Sequence, residues 1–161
     1  MKSKNLFWLF LSLAIILLDQ WTKYLAVSHL TLNQALPIIS GYFNFTLMHN
    51  PGASFSFLAE MSGWQRWFLS IISIIIIFAL IKWLVSLSGN RYYLNIAISL
   101  IIGGAFGNLI DRLRLSYVID FIQVYYKSYY YPAFNIADSS VVIGIFMILF
   151  YSLYLERKYG K

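Results

Sequence analysis

The chain has 161 residues, of which 60% are apolar, 19% aromatic and only 11% charged, a mixture that excludes an ordinary soluble domain and points to a single membrane domain. Twelve Lys and Arg against six Asp and Glu give a net charge of +6, yet no basic stripe interleaves with a soluble pattern, so the surplus is expected to set orientation and meet anionic membrane lipids, with no nucleic acid as partner. There is no cysteine, hence no disulfide, thiolate nucleophile or thiolate metal site.

Met1-Lys2-Ser3-Lys4 followed by apolar Leu6 to Leu18 imitates a secretory signal. The only small-residue site, Ala26-Val27-Ser28, is weak and follows Asp19 and Lys23, so residues 5–26 are read as a first, retained span. Phe43, Phe45 and Leu47 then alternate with more polar residues as a half-buried strand does. Asn50-Pro51-Gly52 is a turn signal and Ala53 to Leu58 a return strand, which places a small amphipathic sheet over residues 42–58. Residues 67–87 form a second span of a length that crosses a ~30 Å core, with Lys82 snorkelling near its end. Residues 92–110 form a third, carrying Gly103, Gly104 and Gly107, which permit close helix packing. The connection 113–134 ends in Tyr125, Tyr126, Tyr129, Tyr130 and Tyr131 and is expected in the headgroup region as an interfacial flap. Residues 138–155 are the fourth span. The expected fold class is thus an all-α membrane protein of four transmembrane helices with a small extracytoplasmic β-sheet and an interfacial flap segment, forming one domain over 1–161. Lys2, Lys4, Lys82, Arg91, Arg157, Lys158 and Lys161 crowd the short flanks of one side, while Lys23, Arg66, Arg112, Arg114 and Lys127 are spread over long connections on the other. That density difference puts both termini in the cytoplasm and the aspartates toward the outer face.

The chain has four aspartates, Asp19, Asp111, Asp120 and Asp138, each inside or beside an apolar segment. An ionisable group kept beside hydrocarbon must be paired, hydrated or protonated, which makes it a functional-site hypothesis by default. His29 and His49 lie far apart with no acid at a ligand-like spacing, so a metal site is not expected, and no other cofactor is implied. No Gly-x-Ser-x-Gly elbow is present. Two close carboxyl groups share one proton near neutral pH, and such a pair can activate water against a peptide carbonyl. Asp120 and Asp138 are the candidates. The competing reading pairs Asp120 with Arg112, Arg114 or Lys127 and makes Asp138 the N-cap of the fourth helix. Asp19 and Lys23, four apart on one helix face, are either a structural ion pair, or Asp19 accepts backbone N–H groups or a ligand's polar head in the outer leaflet with Lys23 facing phosphate. Asn108, Asp111 and Arg112 form another polar cluster, in which Arg112 suits an ion pair or an orienting contact.

Five separated blocks carry a resemblance to the bacterial lipoprotein signal peptidases (signal peptidase II). They are Asp19-Gln20-Trp21-Thr22-Lys23, Asn50-Pro51-Gly52-Ala53-Ser54-Phe55, the run from Gly103 to Arg112, Val118-Ile119-Asp120-Phe121, and Phe134-Asn135-Ile136-Ala137-Asp138-Ser139. One departure is Ser54, where the family often has alanine. The resemblance implies an aspartic endopeptidase of the bacterial cytoplasmic (inner) membrane with Asp120 and Asp138 as catalytic dyad. Its substrates would be diacylglyceryl-modified prolipoproteins, cut on the N-terminal side of the lipidated cysteine. It also implies Asp19, Lys23, Asn50, Gly52, Asn108, Asp111, Arg112, Asn135 and Ala137 as substrate-binding or orienting residues, and inhibition by globomycin-type cyclic peptides. A small proton-coupled membrane transporter is the rival class, and a structural assembly subunit a third; a coupling acid would lie near the bilayer midplane, not at a helix end.

Overall fold

In the computed structural model, residues 2–52, 64–87 and 91–155 are described. Four long helices dominate: α1 (Leu9–His29), α2 (Gln65–Ser86), α3 (Tyr92–Leu115) and α4 (Ile136–Phe150). A 3-10 segment over Lys2–Trp8 leads into α1, and a π-helical turn, Tyr151–Leu155, extends α4. With these extensions all four are long and apolar enough to cross a membrane. Their outward faces carry Phe10, Leu17, Ile75, Phe78 and Phe146, all exposed, as expected of side chains that face hydrocarbon.

The central helix is α3, with thirteen buried residues against four in α1, four in α2 and three in α4. Small residues make that position tenable. A Cβ on Gly103 would stand 2.8 Å from Ile15 Cβ and 2.9 Å from the Ser12 carbonyl, and one on Gly104 would collide with the Ala137 carbonyl. The glycines therefore let α1 and α4 approach the α3 backbone directly, as the sequence pattern suggests. Ile77, Leu84, Ile98, Ile102 and Leu109 fill the apolar space between α2 and α3.

The sheet has four antiparallel strands in the order β1 (Ala35–Ile39), β2 (Phe43–Asn50), β3 (Val118–Tyr126) and β4 (Tyr129–Tyr130). The expected strand at 42–50 is β2; the return strand at 53–58 lies outside the described residues, and so does Ser54. The partners of β2 come instead from 35–39 and from 118–126. The connection expected as a flap is thus a β3–β4 hairpin supplying half of the sheet. Val118-Ile119 and the aromatic and β-branched residues through Tyr126 favour strand, and on β3 they find a paired edge that a lone flap would lack. Ile119 and Phe121 join Ala26 and Leu47 in a small core beneath the sheet, so Asp120, between them on the strand, points to the other face. Finally, α3 runs to Leu115, a turn further than expected, which takes Asp111 and Arg112 into the helix. Ser116 ends it in the left-handed conformation at φ 73°.

Candidate active site

Three elements deliver the two foremost acids and their neighbours. Asp120 lies on β3, opposite Met48 and two pairs from Asn50, which faces Val118. Asp138 stands in the first turn of α4. Between them sits Asn135, which caps α4: its Oδ1 accepts the Asp138 N–H at 2.8 Å, while the Asp138 Oδ2 accepts the Asn135 N–H at 3.2 Å. This reciprocal capping box corrects the competing expectation, because the N-cap is Asn135 and Asp138 is its partner three residues on. A carboxylate at that place also faces the positive end of the helix dipole.

Asn135 reaches the other acid as well. Its Nδ2 donates to Asp120 Oδ1 at 2.8 Å and also lies 3.2 Å from the Ile119 carbonyl. On the far side of Asp120, Asn50 Nδ2 donates to Oδ2 at 3.0 Å. Gly52, at φ 109°, folds back so that its N–H holds Asn50 Oδ1 at 2.9 Å. Asp120 is only 2% exposed. Burial, and then the charge of Asp138, push its carboxyl up to about 7 against the opposing pull of Asn50, Lys23 and Asn135. Near neutral pH it is therefore poised between protonated and ionised forms. The expected ion pairs of Asp120 with Arg112, Arg114 or Lys127 do not form among the described residues. Arg112 donates to the Asn108 carbonyl at 3.5 Å and lies within electrostatic range of Asp138, Asp120 and Asp111.

Behind the two acids lies a buried ionic cluster. Lys23 Nζ, 2% exposed, meets Asp19 Oδ2 and Asp111 Oδ2 at 2.8 Å each and Asn108 Oδ1 at 3.0 Å. The remaining oxygens are also taken: Asp19 Oδ1 accepts the Ala137 N–H at 2.9 Å, and Asp111 Oδ1 accepts Gln20 Nε2 at 2.9 Å. Asp111 Oδ2 further accepts the Ile119 N–H at 3.1 Å, which pins β3 to α3. Asp19 thus is both ion-pair partner and acceptor of a backbone N–H, and Lys23 faces two carboxylates and an amide oxygen. Asn108 joins cluster to acid, its Nδ2 donating to Asp138 Oδ1 at 2.7 Å. Every candidate site residue singled out in the sequence falls in this one region. Gln20, which reads as an ordinary member of its block, is the addition; a polar amide in an apolar helix, one residue from Asp19, is the signal that marks it.

Asp120 opens onto a cleft of about 330 Å³ lined by Met48, His49, Asn50, Gln123 and Tyr130 to Ala133. The β3–β4 hairpin forms its wall, where Tyr125 and Tyr130 stack 4.9 Å apart. Such an arrangement can hold an extended chain beside the Asp120 carboxyl, which changes protonation near neutral pH.

Fold and site together define a membrane-embedded protein whose buried polar centre is built from carboxylates and amides. A sequence profile described as signal peptidase (SPase) II matches residues 11–154. A lipoprotein signal peptidase of Acinetobacter baumannii is 45% identical over 157 residues, 98% of this chain and 89% of that protein. One from Acinetobacter baylyi is 47% identical over 158 residues, 96% and 86% of the two chains. A bacterial membrane enzyme solved by the in meso method at 1.9 Å superposes with a TM-score of 0.81 at 33% identity, covering 91% of this chain and 92% of its own. The chain belongs to the signal peptidase II family, and it is a bacterial membrane peptidase.

Proposed function

We propose that this peptidase removes the signal peptide from diacylglyceryl-modified prolipoproteins, cutting on the N-terminal side of the lipidated cysteine, with Asp120 and Asp138 as its catalytic dyad. One observation carries the reading: the Asn135 side chain donates to the Asp120 carboxyl and accepts the Asp138 backbone N–H, and burial together with the Asp138 charge raises Asp120 to about 7. Such a pair holds one proton across neutral pH. The ionised carboxylate takes a proton from water as the oxygen attacks the scissile carbonyl; the protonated carboxyl polarises that carbonyl and then returns a proton to the leaving amine. Atoms balance, with one water consumed and one peptide bond broken. Asn50, Asn108 and Asn135 hold the carboxyl oxygens, Gly52 sets Asn50, and the cluster of Asp19, Lys23, Asp111 and Ala137 fixes the frame, with Arg112 supplying positive potential nearby.

The acids sit at a strand and at the first turn of a helix, which suits an interfacial reaction better than a proton relay at the bilayer midplane. Both termini are assigned to the cytoplasm and the dyad to the outer face, where a lipid-modified substrate arriving laterally meets water. Membrane lipids surround the helices, and a globomycin-type cyclic peptide would occupy the cleft beside Asp120. The test is the purified protein in bilayers with a diacylglyceryl-modified precursor and its unmodified counterpart, the products weighed by mass spectrometry. The lipidated precursor should yield a fragment beginning at the modified cysteine and the unmodified one should not; equal cleavage of both, or a cut elsewhere, contradicts the proposed specificity. In the cysteine-free chain, the Tyr131→Cys variant should label from outside the cell, and labelling only after permeabilisation would reverse the orientation.

A further inference from the structure

The dyad leaves unexplained why a lysine with three N–H donors and almost no solvent contact lies one residue removed from Asp138. Lys23 Nζ uses its contacts on Asp19, Asp111 and Asn108, at 2.8, 2.8 and 3.0 Å. An ammonium can only donate, so it can meet only the oxygen of the Asn108 amide. Asn135 Nδ2, 3.1 Å from that same oxygen, makes the same choice. The amide is planar, and with Oδ1 fixed by these donors its Nδ2 has one direction left, toward Asp138 Oδ1 at 2.7 Å. We propose that Lys23 and Asn108 act in series as positioning residues: the buried ammonium fixes the facing of the Asn108 amide, and that amide holds the Asp138 carboxylate within reach of Asp120. Asp19 and Asp111 serve this chain by holding the ammonium still from two sides. The proposal rests on the dyad reading and assigns to its surroundings a division of labour that the dyad alone does not require.

The consequence is read at Asp120, the partner. The charged groups around it are Asp138 from α4, Lys23 from α1 and Arg112 from α3, and His49 from β2 borders the same cleft. Asp138 raises the Asp120 carboxyl and Lys23 lowers it. If Asn108 holds Asp138 in place, its loss relaxes the repulsion on Asp120, which then gives up its proton at lower pH.

The experiment measures kcat/KM against pH on the lipidated precursor for the full chain in bilayers, with Asn108→Leu, Lys23→Met and the double variant. Asn108→Leu leaves both ion pairs of Lys23 in place, while the Lys23 and Asn135 donors lose their shared amide oxygen. It should move the alkaline limb of the profile to lower pH by about one unit. Lys23→Met also removes a direct charge effect on Asp120, but that part is common to both backgrounds. The shift it causes should therefore differ between the parent and the Asn108→Leu background, the mark of two residues acting in series. If Lys23→Met does not accumulate, Lys23→Gln, which keeps a donor toward the aspartates, takes its place in the same cycle. An alkaline limb unmoved by Asn108→Leu, or a Lys23 shift equal in both backgrounds, overturns the proposal; a loss of active enzyme without a shifted limb is what a merely structural role gives. Asp138→Asn separates the two levels. If it still cleaves, the dyad reading fails, whereas an inactive Asp138→Asn beside an unmoved limb removes the series alone.

Discussion

Asp120 carries a stability consequence as well as a chemical one. Its carboxyl titrates near 7 in the fold and near 3.8 in the unfolded chain. Between those values the unfolded chain releases the proton and the folded one retains it, so the contribution of this group to stability is full below about pH 4 and is lost as pH rises through 7. Asp120→Asn has no proton to lose, and its NH2 faces one of the two amide donors that the carboxylate oxygens accept from, a cost that does not vary with pH. The variant should gain stability over the parent as pH rises from 4 to 8, by up to roughly 4 kcal/mol if the whole shift is realised. Thermal unfolding of both proteins in the same detergent across that range is the check, and a constant difference between them would contradict the raised carboxyl. What makes Asp120 and Asp138 legible in the sequence is the free energy of placing a carboxylate beside apolar runs; what hides their partners is that Asn135, Asn50 and Lys23 become neighbours only through the fold. Asn135 stands out in the sequence only through the family resemblance, and nothing in its spacing tells that its side chain meets the Asp120 carboxyl and the Asp138 backbone N–H.

At the scale of elements, the close approach of α1, α3 and α4 is the condition for the ionic cluster. A Cβ on Gly107 would stand 2.5 Å from Asp19 Oδ2 and 3.3 Å from Ala137 Cβ. Gly107→Ala should therefore displace Asp19 from Lys23 and the Ala137 N–H, with a destabilisation of about 1–3 kcal/mol and a fall in peptidase activity. Unfolding midpoint and turnover measured together on that variant would show it; a protein of unchanged stability would mean the helices part freely there. The glycine run is readable in advance as a packing surface because its small residues share one face of a helix. The β3 strand is not. Its apolar and aromatic residues suit a membrane-surface segment as well as a strand, and only the edge of β2, itself legible by alternation, decides between them. The helix ends are blurred for a related reason: Asp111 and Arg112 look like a polar boundary, but Lys23 and Ile119 satisfy Asp111 within the helix and let α3 run on to Leu115.

For the molecule as a whole, the four helices act as a scaffold that brings residues more than a hundred positions apart, such as Asp19 and Ala137, to one polar centre under a small sheet. The spans are plain from apolar length alone, and the centre is plain as a set of residues without its connectivity. The sheet adds the wall of a cleft and carries one of the two acids, so the polar centre depends on helices and strands meeting. Turnover of a diacylglyceryl-modified precursor by the purified chain in bilayers, with Asp120→Asn and Asp138→Asn measured beside it, tests the dyad most directly. Each asparagine variant should fold and insert as the parent does and lose activity by about 10³-fold or more. Turnover retained near the parent's rate in either variant would contradict the assignment.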